Sequence, residues 1–573
     1  MKEIYKTLKE DRIFLIVIVL IFSLFLFPLF NTSFYESHDG HAHVARFAAY
    51  YGAIRDGQLI PRWAGSLNYH YGSPLFIFYY PLSGYLSSLL HFLGASFENS
   101  FKLLIALSFI AAPLSFYFWV KTFLKKEVAF VGAFFYGLAP FHMLDMYVRG
   151  DVAEMIAFAL IPLVFWSLEN IAQKEQLKFA AFGSIFLGFL ILSHNGLSLM
   201  FFPVFIAYSF LRSKNVQTLL KCLATIVFGL LLSSFFWIPA LYEGKYTNAK
   251  LFIGNLYESH FPTVSQLIYS PWGFGPDVGR QGGLSPQIGI LYLLLVLLSI
   301  FIVLKSTKEK RMMIGWLCIF GLGLFITLSH SSFFWERLPL IKMFEFPWRF
   351  TALSSFAATV LACYVFAHIK NKKILYSLLI VLVFATAPFV GVKKYVSHSD
   401  SYYKSYPGTT YYHGEASPIW TEGDAGHFPK TRVEVIGGRG MIRDVQTKSQ
   451  LHTYAIEAKD KVAILDNTVY FPGWKVFVDD KSVPVQFQDP NHRGFITFDI
   501  PKGTHKVKVF FRETGVRLIA DVLSLACVLI LLLLALSRRF KKLGKLSALL
   551  YNKKSGKNER SIVYGRKNKK ISQ

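Results

Sequence analysis

Glu36-Ser37-His38-Asp39-Gly40-His41-Ala42-His43 is the stretch that decides what kind of chain this is. It opens a segment that runs through Arg46 and Arg55 to Pro61-Arg62-Trp63, and it directly follows the apolar run 13–30. A helix formed by such a run covers the ~30 Å hydrocarbon core of a bilayer. A second run, 523–536, lies near the far end. The 573 residues are 53% hydrophobic and 17% aromatic, with a mean hydropathy of +0.40. A soluble surface needs more charge than this, so a polytopic α-helical membrane protein is expected. No small-x-small site follows Phe27-Pro28-Leu29-Phe30, so the first run reads as a retained span rather than a signal peptide. A dense set of ionisable groups just past the first crossing then points to chemistry at the membrane surface.

The net charge of +26 does not indicate nucleic acid. The excess Lys and Arg are scattered through loops between spans and through the tail 538–573, where cytoplasmic segments gather positive charge and meet anionic headgroups. Cys222, Cys318, Cys363 and Cys527 sit in apolar runs without C-x-x-C spacing, which argues against disulfides and a thiolate metal site.

Lys2, Lys6, Lys9 and Arg12 put the N-terminus in the cytoplasm and the loop after residue 30 outside. If the basic loop 121–126 is cytoplasmic, only one crossing fits before it. Residues 103–120 take it. Residues 75–93, interrupted by Pro81, Gly84 and serines, suit a helix lying at the interface; were they to span, the alternation downstream would fail. Further spans at 128–146, 152–171, 179–193, 197–211, 219–240, 288–304, 314–328, 350–369, 374–390 and 516–537 bring the count to about twelve.

Between 393 and 515 the composition changes. Period-two patterns such as Arg432-Val-Glu-Val-Ile436 and Trp474-Lys-Val-Phe-Val478 mark half-buried strands. The expected layout is a membrane domain over 1–392 with interfacial helices in its first outer loop, an extracytoplasmic β-sandwich over 393–515, a last span over 516–537, and a basic cytoplasmic tail over 538–573. Both termini are then cytoplasmic and the protein is a multi-pass protein of the cell membrane.

On this topology Asp39 and its histidines, Arg62, Arg149-Gly150-Asp151 with Glu154, His194-Asn195 and Arg349 all fall outside, which predicts one polar pocket built from several loops. Ionisable groups near hydrocarbon cost about 2.5–3.5 kcal/mol at a helix centre on insertion scales. Asp39 suits a divalent cation or a proton from a hydroxyl; its plainer role is an N-cap for a helix starting near Gly40. His41 and His43, two apart, splay on a helix, which disfavours zinc. Asp151 and Glu154 fit a capping box, while Arg149 suits a phosphate through its forked donors. His194 is either a solvated span end or a binding group. Arg349 is either an interfacial anchor beside Trp348 or a phosphate contact.

An acidic first outer loop with two interfacial helices, a second acidic motif in the next outer loop and a closing β domain resemble the GT-C superfamily of polyprenyl-phosphate-sugar glycosyltransferases. Pro61-Arg62-Trp63, Tyr71-Gly-Ser-Pro-Leu-Phe-Ile-Phe-Tyr-Tyr-Pro-Leu82 and Leu192-Ser-His-Asn195 resemble bacterial membrane proteins labelled 6-pyruvoyl-tetrahydropterin-synthase-related. Tyr470-Phe-Pro-Gly-Trp-Lys-Val-Phe-Val-Asp479 resembles the outer segment of YfhO-like proteins. The resemblance implies Asp39 as the first-loop catalytic acid and Asp151 as the second-loop, metal-coordinating acid, with Glu154 beside it and Mg²⁺ or Mn²⁺ as the cation. Many members carry paired acids in the first loop, and here Glu36 is the available second acid. The substrates implied are a polyprenyl-phosphate-linked sugar and a cell-envelope glycan or lipid acceptor; from their outer-face placement and chemistry, Arg62, Arg149, His194 and Arg349 are the candidate binding groups. No G-x-G-x-x-G or Walker pattern offers a nucleotide cofactor site. The alternative is a non-catalytic or flippase-like protein that handles lipid-linked glycans.

Overall fold

The structure, a computed structural model, describes residues 10–249, 254–278, 281–305, 309–411, 414–423 and 425–534. The tail 538–573 lies outside the described residues. Helix α1 (Arg12–Phe25) stops short of the expected span end because Pro28 sits in a separate 3-10 turn, Phe27–Phe30. The first loop then forms α2 (Gly40–Arg55). Residues 75–93 break before Pro81 into a single turn, Leu75–Phe78, and α3 (Leu82–Phe92), both too short to cross a bilayer. Helix α4 (Phe97–Val120) is long enough.

The segment expected as a straight span over 128–146 is broken. Helix α5 (Lys126–Gly137) is followed by a 43° bend and a second piece, Pro140–Arg149, with Pro140 at the break. Its last turn, Asp145–Arg149, is π-helical, and Gly150 reverses the chain in the left-handed region at φ 65°. Next come α6 (Val152–Lys174), α7 (Leu177–Ser193), α8 (Asn195–Arg212) and α9 (Val216–Leu232). Helix α9 bends by 68° into α10 (Ser234–Glu243). Helices α11 (Ile290–Lys305), α12 (Lys310–Thr327), α13 (Thr351–His368), α14 (Lys372–Thr386) and, past the sheets, α15 (Gly515–Leu534) complete the helical part.

Seven helices among the described residues are long and apolar enough to span, or nine if each bent pair is one crossing, and three shorter apolar helices lie where further spans were expected. Length alone therefore does not fix the count at twelve. Helices α6 and α13 form the centre: 83% of the apolar window of α6 and 94% of that of Pro347–His368 are buried. Alanines along α13 (Ala352, Ala357, Ala358, Ala362) are buried, and small side chains of this kind let helices approach closely. At the periphery, α11 and α15 expose Leu294, Leu297, Leu518, Ile519 and Val522, a surface matched to lipid tails rather than water.

The C-terminal strands are β1 (Val433–Gly437), β2 (Gly440–Lys448), β3 (Leu451–Ala458), β4 (Val462–Val469), β5 (Trp474–Val478), β6 (Lys481–Val483), β7 (Phe495–Ile500) and β8 (Gly503–Phe511). They form an antiparallel five-stranded sheet, β2-β3-β8-β5-β6, and an antiparallel three-stranded sheet, β1-β4-β7. Inward residues of both sheets, including Ile456, Ile464, Val476, Ile496 and Val509, share one apolar core, so the sheets pack as a sandwich.

That core is completed by Trp63, Tyr71 and Ile77 from the first loop, and Val469 N donates to Tyr71 O at 2.9 Å. The chain between α14 and the strands also returns to the first loop. Glu36 N donates to Lys394 O at 2.9 Å and Val396 N to Phe34 O at 2.7 Å. The last helix is pinned by two ion pairs. Arg62 reaches Asp521 at 2.7 Å, and the fully buried Arg517 reaches Glu243 at 2.8 Å.

Candidate active site

The first loop is tied to the π-helical turn. His38 N donates to Val148 O at 2.9 Å and Asp39 N to Arg149 O at 2.8 Å. Asp39 stands at the N-cap position of α2, yet its side chain makes no capping bond, and among the described residues no hydrogen bond or ion pair holds its carboxylate. The chain can make this approach because Gly150 has no side chain: a Cβ there would run into Ser37 Oγ and would sit at a strained φ.

Arg149 lies at the centre of a buried acidic group. It pairs with Asp145 one turn back, with Asp151 at 3.1 Å and with Glu154 at 2.8 Å, and its guanidinium lies 5.1 Å over the Trp348 ring. Asp151 is a true N-cap: Oδ1 accepts from Ala153 N at 3.1 Å and from Glu154 N at 3.0 Å. Glu154 does not reach back to close a capping box; it serves Arg149 and lies 3.5 Å from His194 Nε2. His194 bridges α7 and α8, and its Nδ1 accepts from Leu197 N at 3.0 Å. Since that amide can only donate, the proton of neutral His194 is on Nε2, facing Glu154.

On the α2 side, His43 Nδ1 lies 2.6 Å from Tyr79 Oη, while its Nε2 is 3.9 Å from Asp151. Arg46 lies 4.3 Å over the Tyr79 ring, donates through Nε to Thr410 Oγ1 at 2.9 Å and also reaches Thr410 O. The Tyr80 ring is 5.1 Å from that of His194. His41 points away to Tyr403 Oη at 2.8 Å, and Glu36 is held by Lys394 at 2.6 Å.

Burial raises the pKa of Asp39, with the Asp151 charge adding to the rise and Arg149 and Arg46 opposing it. Burial also works against ionised Asp151, but the Arg149 guanidinium, with the amide bond from Glu154, outweighs it and holds that carboxyl low. Burial lowers His43 to about 3, against the pull of Asp151, so its imidazole is neutral at ordinary pH. The two acids implied by the sequence are thus held differently: a guanidinium favours the charged form of Asp151, while burial disfavours that of Asp39.

Asp151, Glu154 and His194 bring ligand atoms within 4.8 Å of one another, a spacing a single cation can bridge. Their present bonding does not suit Mg²⁺ or Mn²⁺. Arg149 already supplies the positive charge between the two carboxylates, and the proton on His194 Nε2 blocks the nitrogen nearest them. A divalent ion would have to displace the guanidinium and reverse a tautomer fixed by a backbone amide.

Of the residues singled out from the sequence, Asp39, Arg149, Asp151, Glu154 and His194 assemble here. Arg349 borders the group, within electrostatic reach of Arg149, Glu154 and Asp151. It bonds Glu345 at 2.8 Å and Phe344 O at 3.1 Å, while its Nε is buried without a partner among the described residues. Arg62 does not join the group. Its guanidinium is consumed by Asp521 at 2.7 Å, Glu513 at 3.4 Å and Phe235 O at 2.8 Å, so it acts as a clamp on the last helix, not as a substrate group. The sequence reading missed Asp145, Arg46, Tyr79 and Tyr80. The spacing of Asp145 and Arg149, four apart at the end of an apolar run, was the available signal.

The family model described as "6-pyruvoyl-tetrahydropterin synthase related domain; membrane protein" matches residues 76–396. A curated relative from Lactococcus lactis subsp. cremoris (strain MG1363), described as an uncharacterized protein, is 25% identical over 265 residues, covering 43% of this chain and 42% of the relative. This chain therefore spans less than half of that relative's length. Among solved structures, the arabinofuranosyltransferase AftD from Mycobacteria overlaps with a TM-score of 0.42 at 15% identity, over 66% of this chain and 26% of that one. The archaeal oligosaccharyltransferase AglB from Archaeoglobus fulgidus, in complex with an inhibitory peptide and a dolichol-phosphate, overlaps with a TM-score of 0.36 at 14% identity, over 70% of this chain and 57% of that one. These scores describe partial overlap of helix arrangement, not shared chemistry.

Proposed function

We propose, on the premise that this chain belongs to the 6-pyruvoyl-tetrahydropterin synthase related family of membrane proteins, that it is a glycosyltransferase of the outer leaflet. It moves a sugar from a polyprenyl-phosphate donor to a cell-envelope glycan or lipid acceptor. The observation that carries this reading is Asp39: an acidic group at a helix start, raised in pKa and committed to no partner, beside an acid cluster already neutralised by its own arginine. A carboxylate in that state is suited to take the proton of an acceptor hydroxyl as the sugar bond forms.

Arg149 is surrounded by three carboxylates and has little positive field left for a phosphate. Arg46, which has no carboxylate in hydrogen-bonding contact among the described residues, and Arg349, with its unpartnered Nε, are the better groups for charge growing on the departing lipid phosphate. Arg149 with Asp151 and Glu154 then positions the turn that carries the Asp39 backbone. Asp151 is a positioning residue in this scheme, and no step requires a metal ion.

The test is sugar transfer from a membrane extract of polyprenyl-phosphate sugars to cell-surface glycan, comparing wild type with Asp39→Asn and Asp151→Asn at equal expression. Loss of one catalytic proton acceptor lowers rates by about 10²–10⁴-fold, and Asp39→Asn is expected to fall in that range with no loss of thermal stability. Asn still caps a helix, so Asp151→Asn should lower transfer while keeping the α6 start. Normal transfer by well-expressed Asp39→Asn would remove Asp39 from the chemistry.

A further inference from the structure

A cavity of about 200 Å³ lies at the seam between the first loop and the sandwich, apart from the acidic cluster. Its floor is the small-residue face of α2, Ala49, Gly52 and Ala53, and Trp63 closes one side. Its charged lining is Lys404, Arg432 and Lys448 against a single carboxylate, Asp56. That carboxylate is turned to the backbone, accepting from Ser449 N at 2.6 Å. The cavity is therefore positive.

Two further features mark it as built rather than left over. His452, only 2% exposed, lines it. Its Nδ1 is bound to Asp466 at 2.8 Å, and Asp466 also accepts from Thr468 Oγ1 at 2.6 Å. Among the described residues, no hydrogen bond engages its Nε2. On the facing wall, Asn68, Tyr69 and His70 adopt left-handed backbone at φ 54°, 54° and 69° in succession, a run that side chains disfavour. It is locked by Asn68 N to Gly408 O at 2.7 Å and by Ala425 N to Asn68 Oδ1 at 2.9 Å, and it sets His70 into the lining with a buried, unpartnered Nε2. Three cations, two histidine rings and an aromatic wall line an anion-receiving surface of saccharide dimensions.

We propose that this seam cavity binds an anionic glycan chain, carrying phosphate or carboxylate groups, and feeds its end toward the acidic cluster along α2. The same helix carries His43 and Arg46 at the cluster and Gly52 at the cavity floor. Arg46 and Ala53 of the floor, seven positions apart and so on one face of the helix, are separated by a rise of about 10 Å, a distance that a short oligosaccharide bridges. Calling the bound chain the acceptor rests on the transferase reading; the binding itself does not.

The experiment uses the full chain in lipid nanodiscs and titrates three oligomers of matched length by calorimetry: a phosphate-bearing oligosaccharide, an oligogalacturonate and neutral dextran. At least one anionic oligomer is expected to bind 10-fold or more tightly than dextran, and the preferred one identifies the anion. The paired substitution Lys404→Gln with Lys448→Gln, both exposed, is expected to abolish most of that preference. Gly52→Leu provides a second test: nothing lies within 4 Å of a Cβ there, so the helix tolerates the side chain while the floor is filled, and binding should be lost. Asp39→Asn should bind as wild type does. Equal affinity for dextran, no binding by any oligomer, or unchanged affinity in both cavity variants would overturn the proposal. Intact binding with no transfer would sink the transferase reading and leave the site standing.

Discussion

Asp39 and Asp151 differ by what surrounds them. Asp151 is saturated by two amides and a guanidinium, whereas the Asp39 side chain makes no hydrogen bond among the described residues, at a place where an N-cap bond would have been easy. A capping residue that does not cap gives up roughly 1 kcal/mol of helix stability, which its availability to a substrate offsets only if it acts on one. Arg149 fills the place a divalent cation would take, so chelation is expected to change little. Transfer measured in excess EDTA should stay within about twofold of the untreated rate, and collapse restored by Mn²⁺ would return the cation to the site. At this scale the sequence was partly legible. Asp39, Arg149, Asp151 and Glu154 stood out because charge is conspicuous beside apolar spans. Arg46, Tyr79 and Tyr80 did not, since their roles come from a stack and a hydrogen bond between α2 and the turn before α3.

Among the elements, the π-helical turn with Gly150 does the most to shape the site. It places Arg149 O against Asp39 N and carries Asp145 into the cluster. Gly150→Ala meets both a left-handed backbone and the Ser37 hydroxyl. It should destabilise the fold by about 1–2 kcal/mol and lower transfer together with it, read from thermal unfolding alongside rate. The sandwich offers a pH test. Burial of Asp466 raises its pKa, but His452 and Arg432 reverse the sign and lower it below the usual 3.8. The carboxylate therefore contributes stability that is complete above that value and is lost as pH falls through the lower folded one. Hydrogen exchange of β3 and β4 amides should accelerate over that acid range in wild type, and Asp466→Asn should flatten the dependence. Period-two patterning announced these strands. The bends after Gly137 and Leu232 were missed, because apolar composition continues unbroken through both while the helix axis does not.

For the whole molecule, the bias of positive charge predicts which loops face the cytoplasm, and the bundle obeys a related logic: its centre is packed and its rim is apolar. A protease-accessible tag at Lys125 is expected to be cut only from the cytoplasmic side; cutting from outside would make residues 75–93 a crossing after all. Long-range closure was not legible. Nothing near Arg62 in the chain announces partners 451 and 459 positions later, and a lone arginine after a proline reads as readily as a ligand group.

The Arg62 clamp has a bearing on biogenesis. A guanidinium emerging early from the ribosome stays uncompensated until Glu513 and Asp521 have been synthesised and the last helix has threaded into place. The start of the chain thus keeps an open valence that only its end can fill. A nascent protein cut short before residue 513 lacks both counter-ions.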